Sequence, residues 1–127
     1  MMNIYSNNNS VRIFAHDAVN TGTLTIMSPD EAQTLAATLV GIEANHEAAI
    51  YEEYPGELDL TEEVRFANGH SVLIDVNSAC DYATLYVRNL TSEHAETVPV
   101  WMLPDLACIL QEQAYEAATE MTLCAEA

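Results

Sequence analysis

The clearest periodic pattern in this 127-residue chain is an apolar stripe that begins shortly after Ser28. Apolar residues recur there at steps of three and four, as they do on one face of an α-helix. They are Ala32, Leu35, Leu39, Ile42 and Ala49. The segment from Ser28 to Glu31 combines a capping serine, a proline suited to the first turn and a capping-box glutamate. The pattern predicts a helix that runs to about Tyr51 and is ended by Pro55-Gly56.

A second amphipathic stripe follows Leu103-Pro104-Asp105 and runs toward the C-terminus. Its apolar members are Leu106, Ile109, Leu110, Ala114 and Ala117. Superposing Pro29 on Pro104 also matches three further pairs: Asp30 with Asp105, Ala32 with Ala107, and Leu35 with Leu110. The stripe predicts a second helix, and the matches indicate a degenerate internal repeat.

Short runs rich in β-branched and apolar residues precede both helices and predict strands. In the first half these runs cover residues 11–14 and 23–27, and in the second half they cover residues 84–88 and 97–101. Between the halves, residues 64–67 and 71–76 flank Asn68-Gly69, the strongest hairpin-turn signal in the chain.

The order of elements is (β)ββα, an acidic connector, and then ββββα, which favours antiparallel meanders with helices packed on one face. We therefore predict an α+β fold in a single domain, residues 1–127. A possible repeat comprises residues 11–51 and 84–123, joined by the connector and hairpin of residues 52–77. Two stacked subdomains are the alternative, but this length favours one merged core.

The charge balance is the unusual feature of the composition. Twenty Asp and Glu residues face three arginines and no lysine, and the formal net charge is −17. Half of the residues are hydrophobic, so these acids belong to a chain that can bury a core. Without clustered Lys and Arg, direct binding to nucleic acid or to an anionic membrane is disfavoured. The charge instead favours a basic partner.

The cysteines and the N-terminal segment indicate a cytoplasmic protein. Cys80, Cys108 and Cys124 are odd in number and lack CxxC spacing, and residues 1–10 lack the basic and apolar regions of a secretion signal. The longest apolar run, residues 98–103, is too short to span a bilayer. We expect a reducing cytoplasm, in which the cysteines act as small core residues.

Two sets of acids are candidates for partner binding. The first, which we call the connector acids, lies between positions 43 and 63 and consists of Glu43, Glu47, Glu52, Glu53, Glu57, Asp59, Glu62 and Glu63. The second, the C-terminal stripe, consists of Glu112, Glu116 and Glu120. At ~1.5 Å per residue its members recur every ~6 Å. That spacing is near the ~7 Å between phosphates estimated from the ~3.4 Å axial rise per DNA strand.

Evidence for catalysis or metal binding is weak. Glu43 and His46 have the Glu-x-x-His spacing of di-iron bundles, but a second copy is lacking, which favours a surface glutamate beside a histidine near the helix end. His16, His70 and His94 fall in predicted loops or turns and are expected to be exposed. No phosphate loop, GxSxG or HExxH motif occurs. We predict no enzyme activity, no metal and no cofactor, and we place Trp101 in the core.

The two acid sets on a compact, lysine-free body resemble the small DNA-mimic inhibitors of phages and mobile elements. This class includes anti-restriction and anti-CRISPR proteins and gyrase inhibitors, and its members share acidity and size. The resemblance implies a non-enzymatic inhibitor whose carboxylates occupy the basic groove of a nucleic-acid-binding protein in a bacterial host cell.

Two other functions are open. The first alternative is an acidic interaction module, a homodimer or accessory subunit that pairs through an edge strand near Trp101. A metal- or cysteine-dependent enzyme ranks third. Salt-sensitive binding to a basic partner distinguishes mimicry from both.

Overall fold

The computed structural model describes residues 1–17, 19, 21–51, 59–77, 79 and 81–126, apart from the side chains of residues 51 and 120–126. The strands are β1 (Met2–Asn7), β2 (Ser10–His16), β3 (Gly22–Met27), β4 (Glu62–Arg65), β5 (Ser71–Asp75), β6 (Tyr82–Arg88) and β7 (Glu93–Pro99), and the α-helices are α1 (Pro29–Tyr51) and α2 (Leu103–Glu126). A 3₁₀ helix, Val100–Met102, joins β7 to α2. The fold is α+β, as predicted.

The strands form two antiparallel meanders, ordered β1-β2-β3 and β4-β5-β6-β7. Each meander is followed by one helix, so both halves end with strand, strand, helix. In β2, β3 and β6, buried residues alternate with more exposed ones, as the two-residue period of a strand requires. In β2, for example, Val11, Ile13 and Ala15 are buried, whereas Arg12 and Phe14 keep part of their surface exposed.

The free edge of β3 is bonded to the turns of the second sheet. Asn68 Nδ2 donates to the Ile26 carbonyl oxygen at 2.8 Å, and the Ile26 amide donates to His70 Nδ1 at 3.0 Å. Asn89 Nδ2 donates to the Leu24 carbonyl oxygen at 3.0 Å. These side chains take the place of a neighbouring strand, and they join the sheets while covering an edge that would otherwise be open to aggregation.

The predicted start of α1 is confirmed in detail. The Glu31 amide donates to Ser28 Oγ at 3.1 Å, and the Ser28 amide donates to Glu31 Oε1 at 2.9 Å, which is a complete capping box. The other carboxylate oxygen of Glu31 accepts the Ala67 amide at 2.8 Å. The cap therefore also fastens α1 to the turn between β4 and β5.

The β4–β5 hairpin was predicted correctly, although its loop is longer than two residues. The Gly69 amide donates to the Phe66 carbonyl oxygen at 3.0 Å and closes a four-residue turn. Gly69 has a φ of 89°, a region in which glycine is favoured because it has no Cβ. The Asn-Gly signal thus marks the turn, with the glycine at its left-handed position.

One continuous cluster of buried hydrophobic residues joins both sheets and both helices. α1 and α2 lie against each other, with α2 also against β1 and β2. The predicted α1 stripe is buried in full, and Ala107 and Leu110 of α2 are buried like their proposed repeat partners Ala32 and Leu35. Ile109 departs from the prediction because 39% of its surface is exposed.

The predicted strand over residues 97–101 is wrong at its end. β7 stops at Pro99, and the next three residues form the 3₁₀ helix. Val100 and Leu103, three positions apart, are buried at 4% and 0% exposure, because residues i and i+3 share one side of a 3₁₀ turn. Trp101 falls on another side and is 69% exposed, so its predicted core position is also wrong.

Candidate partner-binding surface

Two of the connector acids lie on the second half of α1. Glu43 and Glu47 are one turn apart and therefore share a helix face. Glu43 is half-buried and Glu47 is exposed. Neither α1 nor α2 contains a lysine or an arginine, so their carboxylates have no basic neighbour on their own helix.

Glu43 and Glu47 open into a groove of about 450 Å³, which we call the aromatic–acid groove. α1 contributes Glu43, His46, Glu47 and Ile50, and the strands and 3₁₀ helix contribute Asp81, Tyr82, Pro99, Val100 and Trp101. Asp81 and Tyr82 were not predicted to belong to a site, whereas Trp101 was named only at the pairing edge of the alternative interaction module.

Backbone pairing positions the second wall of the aromatic–acid groove. Tyr82 is the register partner of Pro99 across the β6–β7 ladder. One residue further, the Val100 amide donates to the Asp81 carbonyl oxygen at 2.9 Å. Tyr82 and Trp101 remain 60% and 69% exposed at this ordered junction. Two large aromatic side chains are thus held in water beside three carboxylates.

The remaining connector acids differ in the hydrogen-bond and ion-pair partners of their carboxylates. The hydroxyl and amide of Thr61 lower the pKa of Asp59, and Glu62 is exposed on β4. Glu63 pairs with Arg65, and its other oxygen lies 3.6 Å from Arg88 Nη1, so its charge is compensated. Glu52, Glu53 and Glu57 lie outside the described residues.

Glu112 and Glu116 of the C-terminal stripe are exposed on α2. Glu112 and Glu116 border a second recess of about 440 Å³ together with Cys108, Gln111 and Tyr115, and Tyr115 is 74% exposed. Ser6 Oγ of β1 donates to Glu116 Oε2 at 3.5 Å. The side chain of Glu120 lies outside the described part of α2. This recess shares no lining residue with the aromatic–acid groove, so Glu112 and Glu116 border a different recess from Glu43 and Glu47.

All three arginines of the chain lie on strands. Arg12 belongs to β2, Arg65 to β4 and Arg88 to β6. Arg88 Nε is 2.7 Å from Glu93 Oε2, in addition to its contact with Glu63. Arg65 and Arg88 therefore compensate acids of the second sheet, and among the described side chains no ion pair joins a helix carboxylate to an arginine.

The histidine predictions are corrected by the structure. His16 ends β2 and is 6% exposed, with its ring stacked on Phe14 at a centroid distance of 4.9 Å. His94 is half-buried in β7, and half-buried His70 accepts the Ile26 amide. His46 is 6% exposed, because it falls on the core face of α1 between Ile42 and Ala49. The spacing of those neighbours is the signal that could have revealed its burial.

The cysteine prediction is wrong for Cys108, which is exposed on α2 rather than packed in the core. Cys80 and the side chain of Cys124 lie outside the described residues. Within the described part of the chain, no group of three His, Cys, Asp or Glu side chains is placed to hold a metal ion. The absence of catalysis and of a cofactor stays a prediction.

Comparison with known proteins found no match to this chain among protein-family models, curated proteins or solved structures. Neither described helix combines the length and apolarity needed to cross a membrane. The features of the molecule that bear on function are therefore the two acidic surfaces and the residues around them.

Proposed function

We propose that this chain is a non-enzymatic inhibitor that presents an acidic, phosphate-like surface to a basic, nucleic-acid-binding protein in the bacterial cytoplasm. The observation that carries the proposal is the segregation of charge. Every arginine lies on a strand, whereas the two helices carry nine Asp and Glu residues and no Lys or Arg: Asp30, Glu31, Glu43, Glu47, Asp105, Glu112, Glu116, Glu120 and Glu126.

An unmixed acidic helix pair is costly for the chain by itself. Like charges four residues apart, such as Glu43 with Glu47 and Glu112 with Glu116, destabilise a helix by ~0.2–0.5 kcal/mol per pair. A lysine at Glu47, Glu112 or Glu116, all of which are exposed, would convert repulsion into weak attraction. A basic partner explains the arrangement, because the repulsion is relieved when the partner's cations approach.

The C-terminal stripe supplies the phosphate-like element. Successive carboxylates on one face of α2 recur every ~6 Å along the helix axis. A protein groove that neutralises a row of phosphates presents Lys and Arg at a comparable spacing. The stripe would occupy that groove in place of nucleic acid, without turnover.

The experiment that tests the proposal is affinity capture from a bacterial lysate at 50 mM and 200 mM salt, with excess duplex DNA as competitor. We expect a nucleic-acid-binding protein to be retained and to be released by DNA and by salt. DNA competes with the acidic surface for the partner's basic groove, and salt screens the attraction between the two proteins. Retention that ignores both competitors, or retention of no basic protein, would contradict the proposal.

The exposure of Tyr82 and Trp101 favours a second candidate function, a homo-oligomeric interaction module. Large exposed aromatic side chains are typical anchors of protein interfaces. Sedimentation velocity at increasing protein concentration distinguishes the two functions. Assembly that persists in high salt and is lost in Trp101→Ala would favour the module.

A further inference from the structure

The aromatic–acid groove combines two chemistries that point to one kind of ligand. Its lining includes three carboxylates, those of Glu43, Glu47 and Asp81, and the two exposed aromatic side chains of Tyr82 and Trp101. An apolar ligand would remove carboxylates from water without a counter-charge, which is strongly unfavourable. An anion would be repelled, so the ligand must be cationic and must present surface to the rings.

Arginine satisfies both requirements better than lysine. A guanidinium is planar, stacks on aromatic faces and donates in a fork that matches a carboxylate. An ammonium is more strongly hydrated and binds as a point charge. The groove volume of about 450 Å³ leaves room for a long side chain and its flanking backbone.

The same molecule already contains such an arrangement on its sheet. The Arg88 guanidinium carbon lies 5.7 Å from the centroid of the Tyr86 ring, and its Nε lies 2.7 Å from Glu93 Oε2. This arginine therefore contacts an aromatic ring and carboxylates at the same time. In the aromatic–acid groove the rings and carboxylates are present, whereas no arginine or lysine lines it.

We infer that the aromatic–acid groove binds an arginine side chain from a basic segment of the partner protein. The guanidinium lies against the exposed rings of Tyr82 and Trp101, and Glu43, Glu47 and Asp81 supply the counter-charge. The inference rests on the proposed function only in requiring a basic partner. It adds a defined anchor residue to a surface that would otherwise recognise its partner by charge alone.

Trp101 is the only tryptophan in the chain, so the tryptophan fluorescence of the protein reports directly on binding in the groove. The probe is the peptide acetyl-Gly-Arg-Arg-Gly-amide, titrated in 150 mM salt and followed by Trp101 fluorescence and by calorimetry. Two comparison peptides replace arginine by lysine, which keeps the charge, or by citrulline, which keeps the shape without the charge. We expect the arginine peptide to bind at least fivefold more tightly than the lysine peptide and the citrulline peptide to give no response.

Charge-matched variants locate the binding. We expect Glu43→Gln with Glu47→Gln to weaken arginine-peptide binding tenfold or more. Asp30→Asn with Asp105→Asn removes the same two charges from exposed sites outside the groove and should change binding less than twofold. Trp101→Phe, followed by calorimetry, should retain most of the binding, and Trp101→Ala should lose it.

Three results would overturn the inference: equal affinity for the arginine and lysine peptides, equal effects of the two charge-matched variants, or no effect of Trp101→Ala. A fourth result would also overturn it: Trp101 fluorescence that changes with protein concentration in the absence of peptide, and that no longer does so in Arg65→Gln. The exposed Arg65 of a second copy would then be the occupant of the groove. DNA does not enter this experiment. Failure here therefore leaves the DNA competition in the lysate capture as a separate test of the proposed function.

Discussion

The aromatic–acid groove and the C-terminal stripe are both acidic, but they differ in what surrounds their carboxylates. In the groove, Glu43 is half-buried and shares a recess with two exposed rings. On α2, the exposed Glu112 and Glu116 border a recess of similar volume that has one exposed ring, Tyr115. Charge sets the sign of a partner at both surfaces, whereas rings and partial enclosure add contact area and geometry. We therefore expect the stripe to govern encounter and the groove to govern residence time.

The largest expected effect is on the free energy of unfolding, when a residue is substituted in the core beneath the 3₁₀ helix and α2. Both surfaces rest on this core. Leu103 is fully buried, and Leu103→Ala should lower the free energy of unfolding by about 2–5 kcal/mol through lost burial and a cavity. Ile109→Ala, on the partly exposed side of the same helix, should cost about 1 kcal/mol or less. Urea unfolding followed by circular dichroism measures both, and equal losses would contradict this description of the α2 faces.

The next largest effect is on partner affinity, and it distinguishes the two surfaces by their aromatic residues. Trp101→Ala should weaken partner binding tenfold or more, equivalent to ~1.4 kcal/mol, because the ring is an anchor of the groove. Tyr115→Ala, which removes an equally exposed ring beside the C-terminal stripe, should weaken binding less than about threefold. Calorimetric titration of the captured partner measures both. A larger effect at Tyr115 would reverse the assignment of the two surfaces.

The attachment of α1, which carries one side of the groove, depends on Glu31. Partial burial tends to raise the pKa of Glu31, but hydrogen bonds from Ser28 and Ala67 outweigh it and hold the pKa below its usual 4.5. A lowered folded-state pKa means that the ionised carboxylate stabilises the fold fully above pH 4.5, and that this contribution is lost as the pH falls through the lowered value. Glu31→Gln should therefore cost about 1 kcal/mol at neutral pH and progressively less in acid.

Thermal unfolding of the Glu31→Gln and parent proteins at several pH values checks this dependence. Asp30→Asn is a useful control, because Asp30 is exposed in the same helical turn and no described hydrogen bond ties its carboxylate to the sheet. A stability difference between Glu31→Gln and the parent that stayed constant from pH 7 to pH 2 would contradict the role given to the carboxylate.

The smallest expected effects are those on the association rate, which depends on charge alone. Glu43→Gln with Glu47→Gln and Glu112→Gln with Glu116→Gln each remove two charges, so association rates at low salt should fall by a similar factor, about two- to fivefold. Only the groove variant should also raise the dissociation rate, and that effect should persist at 500 mM salt. Surface plasmon resonance with the captured partner separates the two rates. Equal dissociation rates would remove the distinction between groove and stripe.

Local signals predicted most of the fold. The capping box at Ser28 and the stripe from Ala32 to Ala49 located α1 closely, because helix caps and periodicity act over a few residues. Asn68-Gly69 located the central hairpin for the same reason. The order (β)ββα allowed for a first strand, but no residues were assigned to β1, since its polar sequence lacks a strong strand pattern and it is held by pairing with β2.

The site was less predictable because it is formed by distant segments. Glu43 and Glu47 were identified by charge, but their neighbours Asp81, Tyr82 and Trp101 come from the second half of the chain and meet α1 only in the folded protein. Trp101 was assigned to the core because its neighbours are apolar, whereas the 3₁₀ turn after Pro99 directs Val100 and Leu103 inward instead. The burial of His46 was not predicted, although helical spacing places it with Ile42.

The most direct test of the central claim uses the captured partner and a fluorescently labelled DNA duplex. The partner is first saturated with duplex, and this protein is then added while fluorescence anisotropy reports the bound DNA. The account predicts that DNA is displaced completely at a defined molar ratio, and that replacing Glu112, Glu116 and Glu120 by glutamine raises the concentration required. A ternary complex in which the DNA stays bound would contradict the claim that the acidic surface takes the place of nucleic acid.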